Sequence, residues 1–229
     1  MRQIDEVYTK CPFYGARRIT KQLHRDGTPV NHKRVERLMR EMGIEGVQPK
    51  RNTSTRHPQH PVYPYLLKGM HIENVNQVWS TDITYVRLHD GWLYLVALLD
   101  WYSRYVVNWQ LSDSLHSDFC VSNLKQALVT AQPLIHNSDQ GRQFTAYEYV
   151  AQLKTQQIQI SMDGRGRCHD NIFNELLWRT VKYEEVYLKE YASVPEARQS
   201  LSDYFRFYNH ERLHSSLNYR TPAEVYFNN

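Results

Sequence analysis

Residues 77–111 read QVWSTDITYVRLHDGWLYLVALLDWYSRYVVNWQL. Two runs rich in β-branched and aromatic residues meet at Asp90-Gly91, a dipeptide suited to the tight turn of a hairpin. A third run follows the bend at DWYSR, residues 100–104, so the stretch predicts three consecutive antiparallel strands. One residue fits this pattern poorly. Asp82 falls mid-strand between Thr81 and Ile83, where a carboxylate costs free energy unless a cation, a basic partner or a catalytic task compensates.

Beyond this stretch the texture alternates. A helix is expected over 118–132, then a strand ending at Asp139, with AQPLI (131–135) as its apolar run. A helix over 146–156 and the strand IQISM (158–162) come next. The loop DGRGRCHDN (163–171) leads to the helix IFNELLWRTVKYEEVYL (172–188), and another helix is expected near 194–208. Three antiparallel strands followed by alternating helices and strands describe an α/β fold with a mixed five-stranded sheet flanked by helices. That order matches a ribonuclease H-like fold, in which the first and fourth strands pair at the centre of the sheet.

Asp82 and Asp139 then lie side by side, and Glu175 sits in the helix after the glycine-containing loop. Three converging carboxylates repel one another, so each has a raised pKa or shares a cation, and oxygen donors of this kind suit magnesium or manganese. Singly, each acid has a structural reading. Asp82 can bond a neighbouring backbone group, Asp139 can form an Asx-turn with Gly141, and Glu175 can be a solvated helix residue.

The first 60 residues carry 13 Lys or Arg against 6 Asp or Glu, a surplus of seven; with +4 on the whole chain, the remainder holds −3. Such asymmetry points to a basic nucleic-acid-binding arm on a nearly neutral body. Ile19 and Leu23, and then Val35, Leu38, Met39 and Met42, recur at helical spacing, with Gly27 and Gly43 as stops and Asn31 as an N-cap. This predicts a helix-turn-helix-like domain over 1–47 whose second helix presents Lys33, Arg34, Arg37 and Arg40 to DNA. A linker is expected over 48–75, because residues 48–65 hold four prolines and show no periodicity. The catalytic core is assigned to 76–190 and a C-terminal helical extension to 191–229.

The three cysteines form no C-x-x-C pair and read as reduced thiols; His57 and His60 lack a cysteine pair with which to bind zinc. The 229 residues contain no apolar run near the roughly 20 that a membrane span needs. A soluble cytoplasmic protein, at the nucleoid when bound to DNA, is expected. Trp79, Trp92, Tyr94, Trp101 and Tyr105 are expected to pack the core, as are Tyr204, Phe205, Phe207 and Tyr208.

Five blocks carry a further likeness: YGARRI (14–19), WSTDITYV (79–86), HNSDQGRQF (136–144), GRGRCHDNIFNELLWRTVKYE (164–184) and YNHERLHSSLNYRTPAEVY (208–226). In this order they resemble the DDE transposases and retroviral-type integrases. More narrowly they resemble the second-reading-frame product of IS-three family insertion sequences. The 35 residues between Asp139 and Glu175, and Lys182 seven positions after Glu175, follow that family's pattern. The resemblance implies that Asp82, Asp139 and Glu175 hold two magnesium ions, replaceable by manganese. Element ends would be freed as 3′-hydroxyls by hydrolysis and joined to target DNA without a covalent protein intermediate. It also implies that Lys182 grips the element's terminal repeat, and Arg165 and Arg167 are available for phosphates. Arg179 can pair with Glu175 or with a phosphate, and Asn171 is placed to steady the glutamate.

Such products act on DNA as oligomers and generally in fusion with a first-frame protein bearing another helix-turn-helix and a leucine zipper. No run of four apolar heptads occurs here, so the chain reads as a separate second-frame product or a late-starting fragment. Two other functions share parts of the pattern. A nuclease without strand transfer should lack Lys182 and the basic arm, and a non-catalytic DNA-binding remnant should have lost an acid; neither loss is seen.

Overall fold

In the computed structural model, which describes residues 1–46, 62–164 and 171–228, the 77–111 stretch forms the antiparallel strands β1 (Val78–Leu88), β2 (Gly91–Asp100) and β3 (Val106–Ser112). Gly91 closes the hairpin at φ 137°, a conformation that a side chain would strain. Arg104 turns the β2–β3 bend at φ 62°. Its guanidinium holds the bend by donating to the Trp101 carbonyl and lying 3.6 Å from the centre of the Phe173 ring.

β4 (Ile135–Ser138) and β5 (Gln159–Met162) complete a five-stranded sheet of order β3-β2-β1-β4-β5, with β1–β4 and β4–β5 parallel. β4 starts later than the apolar run AQPLI suggests. Pro133 has no N–H for a ladder, and the strand is instead IHNS, whose polar side chains are buried at the sheet centre. Burial is tolerated where partners exist: the His136 ring bonds the Tyr149 hydroxyl at 3.0 Å and the Asn137 amide donates to Asp163 at 2.8 Å.

Alternation along the strands sends side chains to opposite faces. Trp79, Val96 and Leu98 pack under α4 (Asp118–Thr130) and α5 (Tyr147–Thr155). Val86, Leu93 and Leu95 pack under α6 (Ile172–Glu184) and α7 (Val194–His210). A short α8 (Pro222–Phe227) starts with a reciprocal Thr221–Glu224 cap, and its Tyr226 stacks on Tyr105 at 4.5 Å. Trp92 departs from the expected core role, being 57% exposed at the hairpin end, where it meets Tyr85 edge-on. Phe207 is likewise exposed, on the outer side of α7.

The latter part of the expected linker lies on the core. Met162 N–H donates to the Pro64 carbonyl and Leu66 N–H to the Ser161 hydroxyl, which covers the outer edge of β5. Residues 48–61 of that segment lie outside the described residues.

The chain divides into two compact units, Met1–Thr55 and Arg56–Asn229. The first holds α1 (Arg2–Lys10), α2 (Ala16–Arg25) and α3 (His32–Glu41) around Ile4, Ile19, Leu23, Val35 and Met39. Asn31 caps α3 by accepting from Lys33 N–H, and Gly27 and Gly43 follow α2 and α3 at φ 80° and 66°. α1 adds a third helix to the two expected, docking through Ile4, Val7 and Tyr8.

Candidate active site

The parallel β1–β4 register sets Ser80 beside Asn137, and two residues further on it carries Asp82 toward Asp139. Asp82 is half-buried; Asp139, just past the end of β4, opens to solvent. Asp82 Oδ1 accepts from Ile83 N–H at 2.8 Å and Oδ2 from the Trp178 indole N–H at 3.0 Å. Asp139 Oδ1 accepts from Gly141 N–H at 2.8 Å.

Loss of surrounding water pushes the Asp82 carboxyl up to about 7, and the negative charge of Asp139 adds to the effect. The bonds from Ile83 and Trp178 oppose it, and Asp163 contributes a smaller upward push. Asp139 is also raised, by desolvation, against the bond from Gly141. Gly141 is required here for space: a Cβ at that position would stand 2.7 Å from Asp139 Oδ1.

α6 is tied to β1 at two points one turn apart. Asn174 Oδ1 accepts from the Ser80 hydroxyl at 2.7 Å, that hydroxyl accepts from Trp101 at 2.7 Å, and Trp178 reaches Asp82. Glu175 lies between these anchors with its side chain exposed, about 4.5 Å along the axis before Trp178. Among the described residues no three His, Cys, Asp or Glu are grouped closely enough to hold a metal together. The fold therefore brings Asp82 within reach of the charge of Asp139, while Glu175 joins no group of three among the described residues.

Arg179 is exposed and Lys182 partly exposed further along α6, and neither forms an ion pair with Glu175 among the described residues. Asn171, expected to steady the glutamate, is buried at the start of α6, and its side-chain oxygen has no partner among the described residues; Asn174 is an asparagine that bonds this helix to β1. Lys33, Arg34, Arg37 and Arg40 are all exposed on α3, where Arg37 meets Glu41 at 3.4 Å in a solvated pair worth little. Arg165, Arg167, His57 and His60 lie outside the described residues.

Asn174, Trp178 and Asp163 were not anticipated from sequence. Asp163 had a readable signal, since it closes the run ISM just as Asp139 closes β4. The pairing of Trp178 with Asp82 spans 96 positions and is set by tertiary packing alone. An acidic pair, half-buried at Asp82 and open at Asp139, whose Asp82 carboxyl is raised first by loss of water and then by its neighbour's charge, suits a hard divalent cation: oxygen donors are what such ions take, and the cation's charge relieves the repulsion.

Residues 1–52 match the family described as HTH-like domain, and 73–168 and 156–222 match two families described as integrase core domain. The transposase InsF for insertion sequence IS3A of Escherichia coli (strain K12) is 32% identical over 218 residues, covering 92% of this chain and 76% of that protein. The chain belongs to the IS3 family of insertion-sequence transposases. This transposase is also 34% identical over 218 residues to the transposase for insertion sequence element IS904 of Lactococcus lactis subsp. lactis (strain IL1403), with 92% of this chain and 86% of that protein covered.

Its fold is shared with a chain of the simian T-cell lymphotropic virus intasome, solved by cryo-EM in complex with the PP2A regulatory subunit B56 gamma. The TM-score is 0.59 at 16% identity, over 98% of this chain and 74% of that one. The ribonuclease H-like sheet and the helix-turn-helix-like unit expected from sequence are thus both present. As a transposase the protein is a polynucleotidyl transferase that binds DNA. None of the described helices is long and apolar enough to cross a membrane.

Proposed function

We propose that this transposase cleaves the ends of its insertion sequence and joins them to target DNA at a site formed by Asp82, Asp139 and Glu175. The supporting observation is the coupling of the first two: β1–β4 pairing sets them close enough for the charge of Asp139 to raise the Asp82 carboxyl. Asp82, Asp139 and Glu175 would hold two magnesium ions, with manganese as a substitute. When bound, such ions activate the attacking oxygen and stabilise the leaving oxygen of an in-line displacement on phosphorus.

The chain's own groups hold and align. Trp178 and Ile83 fix the Asp82 carboxylate, and Gly141 fixes that of Asp139, so both are oriented before substrate arrives. Glu175 is presented from α6 one turn from the Trp178 anchor. Arg179 and Lys182, on the same helix, offer cations to the phosphates beside the scissile bond, as do Arg165 and Arg167, which precede that helix in the sequence. Water attack on the element's phosphodiester leaves a 3′-hydroxyl. That hydroxyl then attacks a target phosphodiester and expels the target strand's 3′ oxygen, so one bond to phosphorus forms as one breaks.

Lys33, Arg34, Arg37 and Arg40 of α3 engage the terminal repeats. A first-frame protein, free or fused, and further copies of the transposase complete the assembly on nucleoid DNA. The test is manganese-dependent joining of a labelled terminal-repeat duplex into a plasmid. Wild type should join; Asp82→Asn, Asp139→Asn and Glu175→Gln should each fold and bind DNA yet lose joining. Hydrolysis of the duplex without joining would identify a nuclease instead. A variant that still joins removes its residue from the site.

A further inference from the structure

Beyond the three acids, the end of β5 carries a fourth. Asp163 is 9% exposed and follows Met162, the last residue of the strand, whose partner on β4 is Ser138. Three hydrogen bonds link it to the segment around Asp139. Its Oδ1 accepts from Asn137 Nδ2 at 2.8 Å, its N–H donates to the Ser138 carbonyl at 2.9 Å, and its carbonyl accepts from Gln140 Nε2 at 2.9 Å. One residue is therefore bonded to positions 137, 138 and 140, on both sides of Asp139.

The β4–β5 ladder ends at the Ser138–Met162 pair, so residues 139–141 leave the sheet without strand pairing to β5. Asp139 needs other restraints to keep its carboxylate opposite Asp82. The Asn137 side chain is fully buried, its oxygen lacks a partner among the described residues, and its amide is bonded to Asp163.

We propose that Asp163 is a positioning residue for Asp139: its backbone and carboxylate clamp the turn that carries the catalytic acid, and it touches neither metal nor DNA. The proposal rests on the reading of Asp82 and Asp139 as the cation-binding pair. It assigns the function to the Asn137–Asp163 hydrogen bond, so exchanging the two residues should preserve it: an asparagine at 163 donates to an aspartate at 137.

Trp178 supplies a readout independent of activity, because its indole donates to Asp82 and manganese held there should quench its emission; the difference from Trp178→Phe isolates that signal. The full chain is titrated with manganese, and joining is measured in parallel, for wild type, Asp163→Ala, Asn137→Asp, the exchange Asn137→Asp/Asp163→Asn, and Gln140→Ala. Asp163→Ala and Asn137→Asp should each raise the half-saturating manganese concentration by about 10- to 100-fold, the usual effect of losing a group that orients a ligand. The exchange should restore most of that loss, and Gln140→Ala, which spares the buried pair, should move it a smaller distance the same way.

Wild-type quenching and joining in Asp163→Ala overturns the proposal. So does an exchange protein that folds, by urea midpoint, yet binds manganese no better than the single variants. If Asp163→Ala does not fold, the exchange and Gln140→Ala still decide. Failure of the underlying reading looks different: Asp139→Asn would then leave the manganese titration of Trp178 unchanged.

Discussion

At the scale of single residues, Asp82 carries the clearest electrostatic consequence. Its carboxyl is raised from 3.8 to about 7 by burial and by Asp139. Between these values the folded protein binds a proton that the unfolded chain does not, so this residue's contribution to stability falls as pH rises from about 4 to about 7. Metal-free Asp82→Asn should therefore be more stable than wild type at pH 8, by about 1–2 kcal/mol after allowing for partial exposure and one lost acceptor, and the advantage should vanish near pH 4. Urea melts with a chelator at the two pH values measure this, and equal differences at both would refute it. Gly141 makes a steric counterpart. A methyl group 2.7 Å from Asp139 Oδ1 must displace that carboxylate, so Gly141→Ala should cut joining by about 10- to 100-fold while the urea midpoint changes little.

At the scale of elements, α6 carries Glu175, and one of that helix's anchors on β1 is the Asn174–Ser80 bond. Asn174→Ala leaves the Ser80 hydroxyl without its acceptor and should cost about 1–3 kcal/mol of stability. Glu175 would also lose its fixed position while Asp82 and Asp139 keep theirs. The maximal joining rate should fall by a larger factor than manganese affinity read from Trp178 quenching, because two of the three acids keep their places; a matched change in both would mean that the helix does not position the glutamate independently. Most of these elements were legible in the sequence, because β1 to β3 and α4 to α7 have clear periods and turn residues. β4 begins later than its sequence suggests, because the apolar lead AQPLI looks more like a strand than the buried polar IHNS that forms one. α1 has only a short apolar stripe, Ile4, Val7 and Tyr8, at helical spacing in a charged segment, so its signal is weak. Within the site, Asp82 and Asp139 could be paired from strand order, whereas Trp178, Asn174 and Asp163 depend on contacts between distant segments that no local pattern encodes.

At the scale of the molecule, positive charge and carboxylate chemistry reside in different compact units. Residues 1–55 hold 12 Lys or Arg against 6 Asp or Glu, a surplus of six, and α3 exposes Lys33, Arg34, Arg37 and Arg40. Each cation that neutralises a phosphate releases condensed counterions, so it contributes about 0.9 to the slope of log affinity against log salt. Replacing Arg34, Arg37 and Arg40 together by alanine should flatten that slope by up to about 3 for a terminal-repeat duplex. Val35 and Met39, which pack the unit's interior, are untouched, so its thermal transition should persist. The acidic pair belongs to the other unit, and its manganese titration should be that of wild type. Joining at low salt and high DNA concentration should then recover toward the wild-type rate, because weakened capture is overcome by mass action while the chemistry is intact. A triple variant with an unchanged salt slope would move the phosphate contacts off α3. One whose joining stays lost at saturating DNA would show that α3 does more than capture, setting the register in which the element's end meets Asp82 and Asp139.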